Sequence, residues 1–325
     1  MLKLARHVTL RQLQIFEALG RLKNFSRVAE ELFLTQSTVS TQIRNLSELV
    51  DTPLVEVIGK KTYLTQAGEI LYQACKDVIS CLDNAEMAFA DLKGIKTGVL
   101  KVSVISTAKY FAPEVLGKFW QRYPEIEVSL NVNNKENVLS RLLNNEDDLY
   151  ILGHNPPKEF EIDATAFAAN PIYVMASKDH PLAQQQKRIS LKQLAEQPLI
   201  FREPGSGIRD VVETLFKSKG LRPNVRMVLS NNEAIKHALI GQLGISVLSL
   251  HTILLEGENG PIAVLNVEGF PIQRKWHVVH RKDKELSVVA KAFIEFLHEE
   301  GKHLTQRVDA LADKIDPKRR VKSLK

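Results

Sequence analysis

The stretch from Thr9 to Gly68 decides the fold of this chain. Inside it, Phe25-Ser26-Arg27-Val28-Ala29-Glu30-Glu31-Leu32, a short break, and Thr35-Gln36-Ser37-Thr38-Val39-Ser40-Thr41-Gln42-Ile43 read as two helices meeting at a tight turn. Ala29, Leu32, Val39, Ile43 and Leu46 fall at helical intervals on inward faces, and Ala29 is small where two helices must cross closely. Ser26 and Thr35 are the expected N-caps. With the apolar positions turned inward, the second helix presents Gln36, Ser37, Thr38, Ser40, Thr41 and Arg44. Such side chains bond base edges and phosphate oxygens without the bulk that would keep a helix out of a groove ~12 Å wide. The alternative for the two helices alone is a polar face on an ordinary small helical domain.

The residues after the second helix narrow that choice. Pro53-Leu54-Val55-Glu56-Val57-Ile58 and Thr62-Tyr63-Leu64 flank Gly59-Lys60-Lys61, a short β-hairpin with a Gly turn and two lysines at its tip. This is a wing, and Lys60 and Lys61 would meet backbone phosphates, positioning the reading helix without adding sequence information. Thr65 then caps a long helix to about Leu92, in which Leu71, Cys75, Val78, Leu82, Ala85, Phe89 and Leu92 alternate by four and three residues. Such a heptad seam, with no Pro or Gly inside and with Gln73, Lys76, Asp77 and Asp83 beside it, favours pairing with a second copy of the chain. The alternative is a helix lying on its own C-terminal domain.

Composition sets looser bounds. At 325 residues and 44% hydrophobic content the chain has apolar surface for two or three cores. No run of about 18 apolar residues exists and Met1 to His7 lacks an apolar secretory core, so the expected location is the cytoplasm, away from any membrane. Cys75 and Cys81 are too far around and along one helix to bond each other, and Cys75 reads as a small core residue. The basic pI of about 9.1 is a weak guide to nucleic acid. Residues 301–325 hold eight Lys or Arg against three Asp, +5 of the chain's +6, and read as a solvated tail, whereas residues 1–66 carry only +3.

Beyond Gly94-Ile95-Lys96-Thr97-Gly98, a hinge, short apolar runs alternate with helices in an α/β pattern. Strands are expected at 99–105, 127–132 and 148–152, then at 172–176, 199–201, 225–229, 245–248 and 276–280, with a helix over 286–298 returning to the first lobe. Two lobes joined by crossovers make a cleft. Three helix starts follow strands, where open α/β sheets bind ligands and helix N-termini attract anions. They are Ser106-Thr107-Ala108-Lys109, then Arg202-Glu203-Pro204-Gly205-Ser206-Gly207-Ile208-Arg209, whose two arginines offer a clamp, and Ser230-Asn231-Asn232-Glu233. For each taken alone, a capped surface loop is the competing reading.

On these residues the chain resembles LysR-type transcriptional regulators over 9 to about 300. The resemblance is carried by Leu10-Arg11-Gln12-Leu13, Ala29 to Leu32, Gln36 to Ser40, Ile43-Arg44-Asn45-Leu46 and Leu64-Thr65-Gln66-Ala67-Gly68. Ser106 to Pro113, Asn155-Pro156-Pro157, Asp179-His180-Pro181-Leu182, Arg202 to Gly207, Asn232 to Lys236, Gly269-Phe270-Pro271-Ile272 and Val278-Val279-His280-Arg281 are similar to the branch that regulates Rubisco and inorganic-carbon-uptake operons. The resemblance implies an N-terminal winged helix-turn-helix (1–66), a linker dimerisation helix and hinge (67–97), and a two-lobed α/β, periplasmic-binding-protein-like effector domain. Its first lobe would comprise 98–166 and 267–300, its second 167–266, and 301–325 would be the basic tail. It also implies a dimer of dimers on double-stranded promoter DNA, contact with RNA polymerase, and an effector such as 2-phosphoglycolate, ribulose 1,5-bisphosphate or NADPH. Effector residues would be Ser106, Thr107, Ala108, Lys109, Asn134, Arg202, Gly205, Ser206, Gly207, Asn232 and Glu233, and dimerisation residues Leu71, Cys75, Val78, Leu82 and Phe89. Ser47 departs from the family's usual Glu, which would loosen the end of the reading helix, and Val55 and Val57 stand where Phe and often Arg are usual, removing a phosphate contact from the wing.

Enzymatic readings fare poorly. There is no Gly-x-x-x-x-Gly-Lys-Ser/Thr loop, no Gly-x-Ser-x-Gly elbow and no His-Glu-x-x-His helix, so neither catalytic residues nor a cofactor nor a metal is expected. His277 and His280, three apart on a strand, point to opposite faces and make a poor metal pair. The competing class is a cytoplasmic metabolite-binding α/β protein whose N-terminal helices merely dimerise it, and it leaves the polar helix and the wing unexplained.

Overall fold

Thr9 starts the helix Leu10–Leu22 with a capping box: its hydroxyl accepts the Gln12 N–H at 3.2 Å, and Gln12 Oε1 accepts the Thr9 N–H at 2.9 Å. The computed structural model describes residues 4–59, 61–92, 97–154, 161–185 and 187–316. The chain divides into two units, Met1–Leu92 and Lys93–Lys325.

The first unit runs α1 (Leu4–His7), α2 (Leu10–Leu22), α3 (Phe25–Glu31), α4 (Gln36–Val50), β1 (Val55–Ile58), β2 (Lys61–Leu64) and α5 (Gln66–Leu92). Thr35 caps α4 as its sequence suggests, accepting the Thr38 N–H at 3.2 Å. The cap of α3 is Asn24, not Ser26: the Asn24 side chain accepts the Arg27 N–H at 3.1 Å from the residue before the helix, whereas Ser26 already lies inside the first turn. Leu13, Ile15, Phe16, Leu19, Val28, Ala29, Val39, Ile43, Leu46 and Leu54 close one core. Leu71 and Cys75 of α5 join it, at 6% and 0% exposure, so these two supposed seam residues pack within their own chain. Gly68 is required where α5 starts, because a Cβ there would run into the Leu54 carbonyl. Ser47 does not loosen α4. Its hydroxyl donates to Ile43 O at 3.1 Å and accepts the Leu54 N–H at 3.4 Å, tying the helix end to the entry of the wing.

The second unit begins with β3 (Gly98–Ile105), α6 (Ala112–Arg122), β4 (Ile126–Asn133), α7 (Lys135–Leu143), β5 (Leu149–Leu152), β6 (Ile162–Ala169) and β7 (Ile172–Ser177). It continues through α8 (Pro181–Gln184), α9 (Leu191–Glu196), β8 (Leu199–Arg202), α10 (Gly207–Ser218), β9 (Val225–Leu229), α11 (Asn232–Ile240) and β10 (Ile245–Ser249), and ends with β11 (Ile262–Val264), β12 (Lys275–Arg281) and α12 (Val288–Ile315). Two five-stranded sheets result, ordered β4-β3-β5-β12-β6 in lobe I and β11-β7-β10-β8-β9 in lobe II. The chain crosses from lobe I to lobe II at Asn170 and returns near Arg274. The two crossing segments bond each other, Asn170 N to Arg274 O at 2.8 Å and Ile172 N to Ile272 O at 2.9 Å.

A third connection is α12. Its first half buries Val289, Ala290, Phe293, Phe296 and Leu297, with Phe293 edge-on to Phe119 of α6 at 4.9 Å between centroids. Its second half places Val308, Leu311 and Ala312 in the lobe II core with Tyr173, Met175, Ile235 and Leu248. Gly301 marks the passage, since a Cβ there would strike the Phe167 carbonyl of β6. The solvated tail expected from residue 301 is therefore corrected to ordered helix as far as Ile315, driven by burial of its apolar face. Residues 317–325, the most basic part of that expected tail, lie outside the described residues. Among the described residues no helix is long and apolar enough to cross a membrane.

Candidate functional site

In the first unit the polar face of α4 stands clear of the core. Gln36, Ser37, Ser40, Thr41 and Arg44 are exposed, while Val39, Ile43 and Leu46 on the opposite face are buried. Thr38 is half-buried, and its hydroxyl bonds that of Thr35 at 2.8 Å, as the Ser37 hydroxyl does at 2.9 Å. Among the described residues Arg44 is held by an exposed ion pair to Glu48 at 3.7 Å, a contact weak enough to exchange for a phosphate or a base edge. The wing pairs Val55–Ile58 with Lys61–Leu64 and turns at Gly59, whose φ of +63° suits glycine. Lys61 is exposed at its tip, and Lys60 lies outside the described residues. On α5, Val78, Leu82 and Phe89 are exposed at 42, 48 and 66%, an apolar stripe that its own unit leaves uncovered.

The second unit encloses a cavity between its lobes. It holds about 30 Å³, room for no more than a water or two, so a metabolite enters only as lobes or side chains part. Of the expected effector residues, Ser106, Thr107, Arg202, Ser206 and Gly207 line it. Asn134 does not: its side chain caps α7, accepting the Asn137 N–H at 2.9 Å, and the next residue, Lys135, reaches the cavity instead. Ala108 is buried away from the lining, and Lys109 lies over the Tyr110 ring at 5.1 Å. Gly205 turns the backbone at φ +81° near Glu136 without lining the space.

The two arginines expected to clamp an anion do not converge: Arg202 lines the cavity and Arg209 does not. Arg202, 4% exposed, is committed largely to protein partners: Nε donates to Glu203 Oε2 at 2.8 Å, Nη1 to Asn232 Oδ1 at 2.5 Å, and Nη2 to Glu203 Oε1 at 2.9 Å and Ser106 Oγ at 3.1 Å. It braces lobe II against lobe I, and Asn232 extends the brace by donating to Thr107 Oγ1 at 3.4 Å. Arg209 turns away to Glu213 at 2.7 Å and to the Arg202 carbonyl at 3.1 Å. Glu233 accepts the Tyr110 hydroxyl across the lobes, and with burial this pushes the phenol well above its ordinary range.

Two cations that sequence reasoning missed take over. Arg274, on the returning segment, lines the cavity with its Nη1 donating to the Gly207 carbonyl at 3.0 Å. No carboxylate among the described residues lies within ion-pair distance of it, and burial pushes its guanidinium down to about 10. Lys135 also lines the cavity and bonds Asp210 Oδ2 of α10 at 2.8 Å. The first residues of α10, Gly207 and Ile208, join the lining and add the positive end of a helix dipole. An under-compensated half-buried arginine, a lysine, small hydroxyls and a helix N-terminus are the donors a compact anion needs.

A winged helix-turn-helix in the same chain as a two-lobed α/β unit with a basic interlobe cavity defines a DNA-binding regulator governed by a small ligand. The chain belongs to the LysR family. Residues 10–69 match the bacterial regulatory helix-turn-helix protein model of that family, and residues 93–302 its substrate binding domain. It is 48% identical over 303 residues to the HTH-type transcriptional activator CmpR of Synechocystis, covering 93% of this chain and 99% of that one. To the RuBisCO operon transcriptional regulator of Acidithiobacillus ferrooxidans it is 47% identical over 292 residues, 90% of this chain and 94% of that one. Among solved structures it is similar to the Synechocystis CcmR regulatory domain in complex with 2-PG, at 44% identity and a TM-score of 0.61, over 64% of this chain and 99% of that one. The chain is thus a LysR-type transcriptional regulator that binds DNA through its N-terminal unit.

Proposed function

We propose that this regulator controls genes of CO₂ fixation or inorganic-carbon uptake and that a small phosphorylated anion, 2-phosphoglycolate first among candidates, is its effector. The observation that carries the ligand class is Arg274, half-buried at the cavity without a carboxylate partner among the described residues, in a lining that it shares with Lys135. A phosphate would accept from both and from the hydroxyls of Ser106 and Thr107, while a carboxylate two bonds away suits the N-terminus of α10. Ribulose 1,5-bisphosphate offers the same chemistry at larger size and NADPH at larger still, and both demand more opening of a 30 Å³ cavity. The gene class is supported by the likeness over nine-tenths of the chain to an activator and a Rubisco-operon regulator.

In the mechanism, Gln36, Ser37, Ser40, Thr41 and Arg44 read base edges and phosphates while Lys61 of the wing fixes register on the backbone. The stripe Val78, Leu82 and Phe89 pairs two chains, and two such dimers span two half-sites. The effector selects one arrangement of the effector units over another, changing the bend imposed on promoter DNA and so the access of RNA polymerase. Such a switch needs only the differential affinity of the effector for the two arrangements, a few kcal/mol.

The test is affinity selection of sheared source-genome DNA by the purified protein, sequenced with and without 2-phosphoglycolate, ribulose 1,5-bisphosphate and NADPH. Enrichment upstream of Rubisco or carbon-uptake operons, shifted by one of the phosphorylated ligands, is the expected result. Enrichment only elsewhere rejects the gene class, and an unshifted pattern with all three rejects the effector class.

A further inference from the structure

The charges around the cavity do not balance at random. Arg202 and Glu203 form a two-point pair, with contacts of 2.8 and 2.9 Å, and neutralise each other. That leaves Lys135 on lobe I and Arg274 at the crossing segment, and one carboxylate that acts on both. Asp210 bonds Lys135 Nζ at 2.8 Å and its field favours the charged form of Arg274. Asp210 belongs to α10 of lobe II and Lys135 to α7 of lobe I, so the pair also spans the lobes.

We propose that Asp210 is a built-in competitor of the effector: it occupies Lys135 when the cavity is empty, straps the lobes together, and is displaced when an anionic ligand takes Lys135. The inference rests on the anion-binding reading of the cavity given above. The geometry suits exchange rather than permanence. The Asp210 side chain is 47% exposed and the Lys135 side chain 24%, so the carboxylate can swing into water and be solvated there, whereas the lysine stays at the cavity wall. Arg202, by contrast, is 4% exposed and bonded to Glu203, Asn232 and Ser106, and remains a fixed brace. A phosphate arriving beside Lys135 and Arg274 would also stand close to the Asp210 carboxylate, and like charges at that distance repel. Ligand entry and loss of the Lys135–Asp210 strap are therefore one event, which turns chemistry inside the cavity into a change in how the lobes are held. Asp210 thus sets both how tightly the effector binds and which ligands can bind, since only a ligand more anionic than the carboxylate it replaces gains from the exchange.

The test is calorimetric titration of the full-length chain with 2-phosphoglycolate at fixed ionic strength, comparing wild type, Asp210→Asn, Lys135→Gln and the double variant. If Asp210 blocks Lys135 nine-tenths of the time, Asp210→Asn tightens binding about tenfold. Lys135→Gln weakens it, and in that background Asp210→Asn gains less than about twofold, because the competitor has lost the group it competes for. Asp210 also sits in the first turn of α10, where a carboxylate favours the helix. A purely structural role there would make Asp210→Asn bind more weakly, and would do so equally with or without Lys135. Unchanged or weaker binding by Asp210→Asn while wild type binds overturns the competitor and leaves the anion site standing, as does a full tenfold gain in the double variant. Binding by Asp210→Asn alone supports it in its strongest form. No binding of 2-phosphoglycolate or inorganic phosphate by any of the four overturns the anion reading and the competitor together.

Discussion

Trp276 Nε1 lies 3.0 Å from His251 Nε2 and donates to it, so an indole that lines the cavity from lobe I is bonded to an imidazole buried in lobe II. The same Nε2 is 2.9 Å from the Ala169 carbonyl, and Phe111 packs on the ring at 5.3 Å between centroids. Burial pushes His251 down to about 4 from the usual 6.5. The folded protein therefore holds this ring neutral where the unfolded chain would protonate it. Between pH 6.5 and 4 the unfolded state binds more protons, and stability falls as pH falls through that window. The full loss from this one group is about 3 kcal/mol. Thermal melting of the wild type should drop more steeply over pH 6.5 to 4 than that of His251→Gln. Carboxylates such as Glu114, held low by Arg307, lose their contribution in both proteins alike. Parallel pH profiles would remove His251 as the cause.

The end of α12 is expected to contribute stability by packing and little by charge. Leu311 is 7% exposed in the lobe II core, and Leu311→Ala should cost about 3 kcal/mol, as large-to-small changes in cores do. Arg307 bonds both carboxylate oxygens of Glu114 at 2.8 Å, linking α12 to α6, but its side chain is 42% exposed and that of Glu114 44%. Water screens such a pair, so Arg307→Ala should cost under about 1 kcal/mol. Urea denaturation compares the two. Near-zero cost for Leu311→Ala would mean that the last turns behave as a solvated tail after all.

This helix also shows where the sequence was legible and where it was not. Leu304, Val308, Leu311 and Ile315 recur at helical spacing, yet the surrounding Lys302, Arg307 and Lys314 drew attention to net charge instead of period. The winged helix was readable because its core positions, its Thr35 cap and its Gly59 turn are all local. Strand β6 was not: Ile162–Ala169 holds small residues and an aspartate, is largely exposed, and is specified by pairing with β12, more than 100 residues on. The cavity divided the same way. Glycines near Arg202 advertised a loop and made the arginine look like a ligand clamp, although its adjacent Glu203 already offered a partner. Lys135 and Arg274 have no motif around them. They meet only because crossing segments and α7 converge, and no spacing along the chain encodes that.

The exposed stripe on α5 should be an interface between copies of the chain. Val78, Leu82 and Phe89 remain in water in a single chain, whereas Leu71 and Cys75 do not, and burial has raised the Cys75 thiol to about 12. Leu82→Asp would place a charge in the pairing surface without touching the core of the first unit. Sedimentation should then show monomers where wild type shows dimers or larger, and operator affinity should fall with it, since each chain carries one reading helix. A dimer that survives Leu82→Asp would assign pairing to another surface.

Arg44 gives the sharpest test of the reading helix. It is the one fixed cation in the exposed row from Gln36 to Arg44, and its pairing to Glu48 is long and solvent-exposed. If Arg44 meets a base edge, Arg44→Ala should lose about 1 to 3 kcal/mol on the operator and discriminate less at one base pair. If it meets a phosphate, the loss should be nearly uniform across sequences, and the slope of log affinity against log salt should shrink by about one ion. Fluorescence anisotropy on a half-site series at several salt concentrations separates the two. Lys61→Ala on the wing is the companion measurement, and there only the phosphate pattern is expected, because a hairpin tip reaches the backbone beside the groove. Unaltered affinity and salt slope in Arg44→Ala would turn the α4 face away from the groove and require a different element of the first unit to read the DNA.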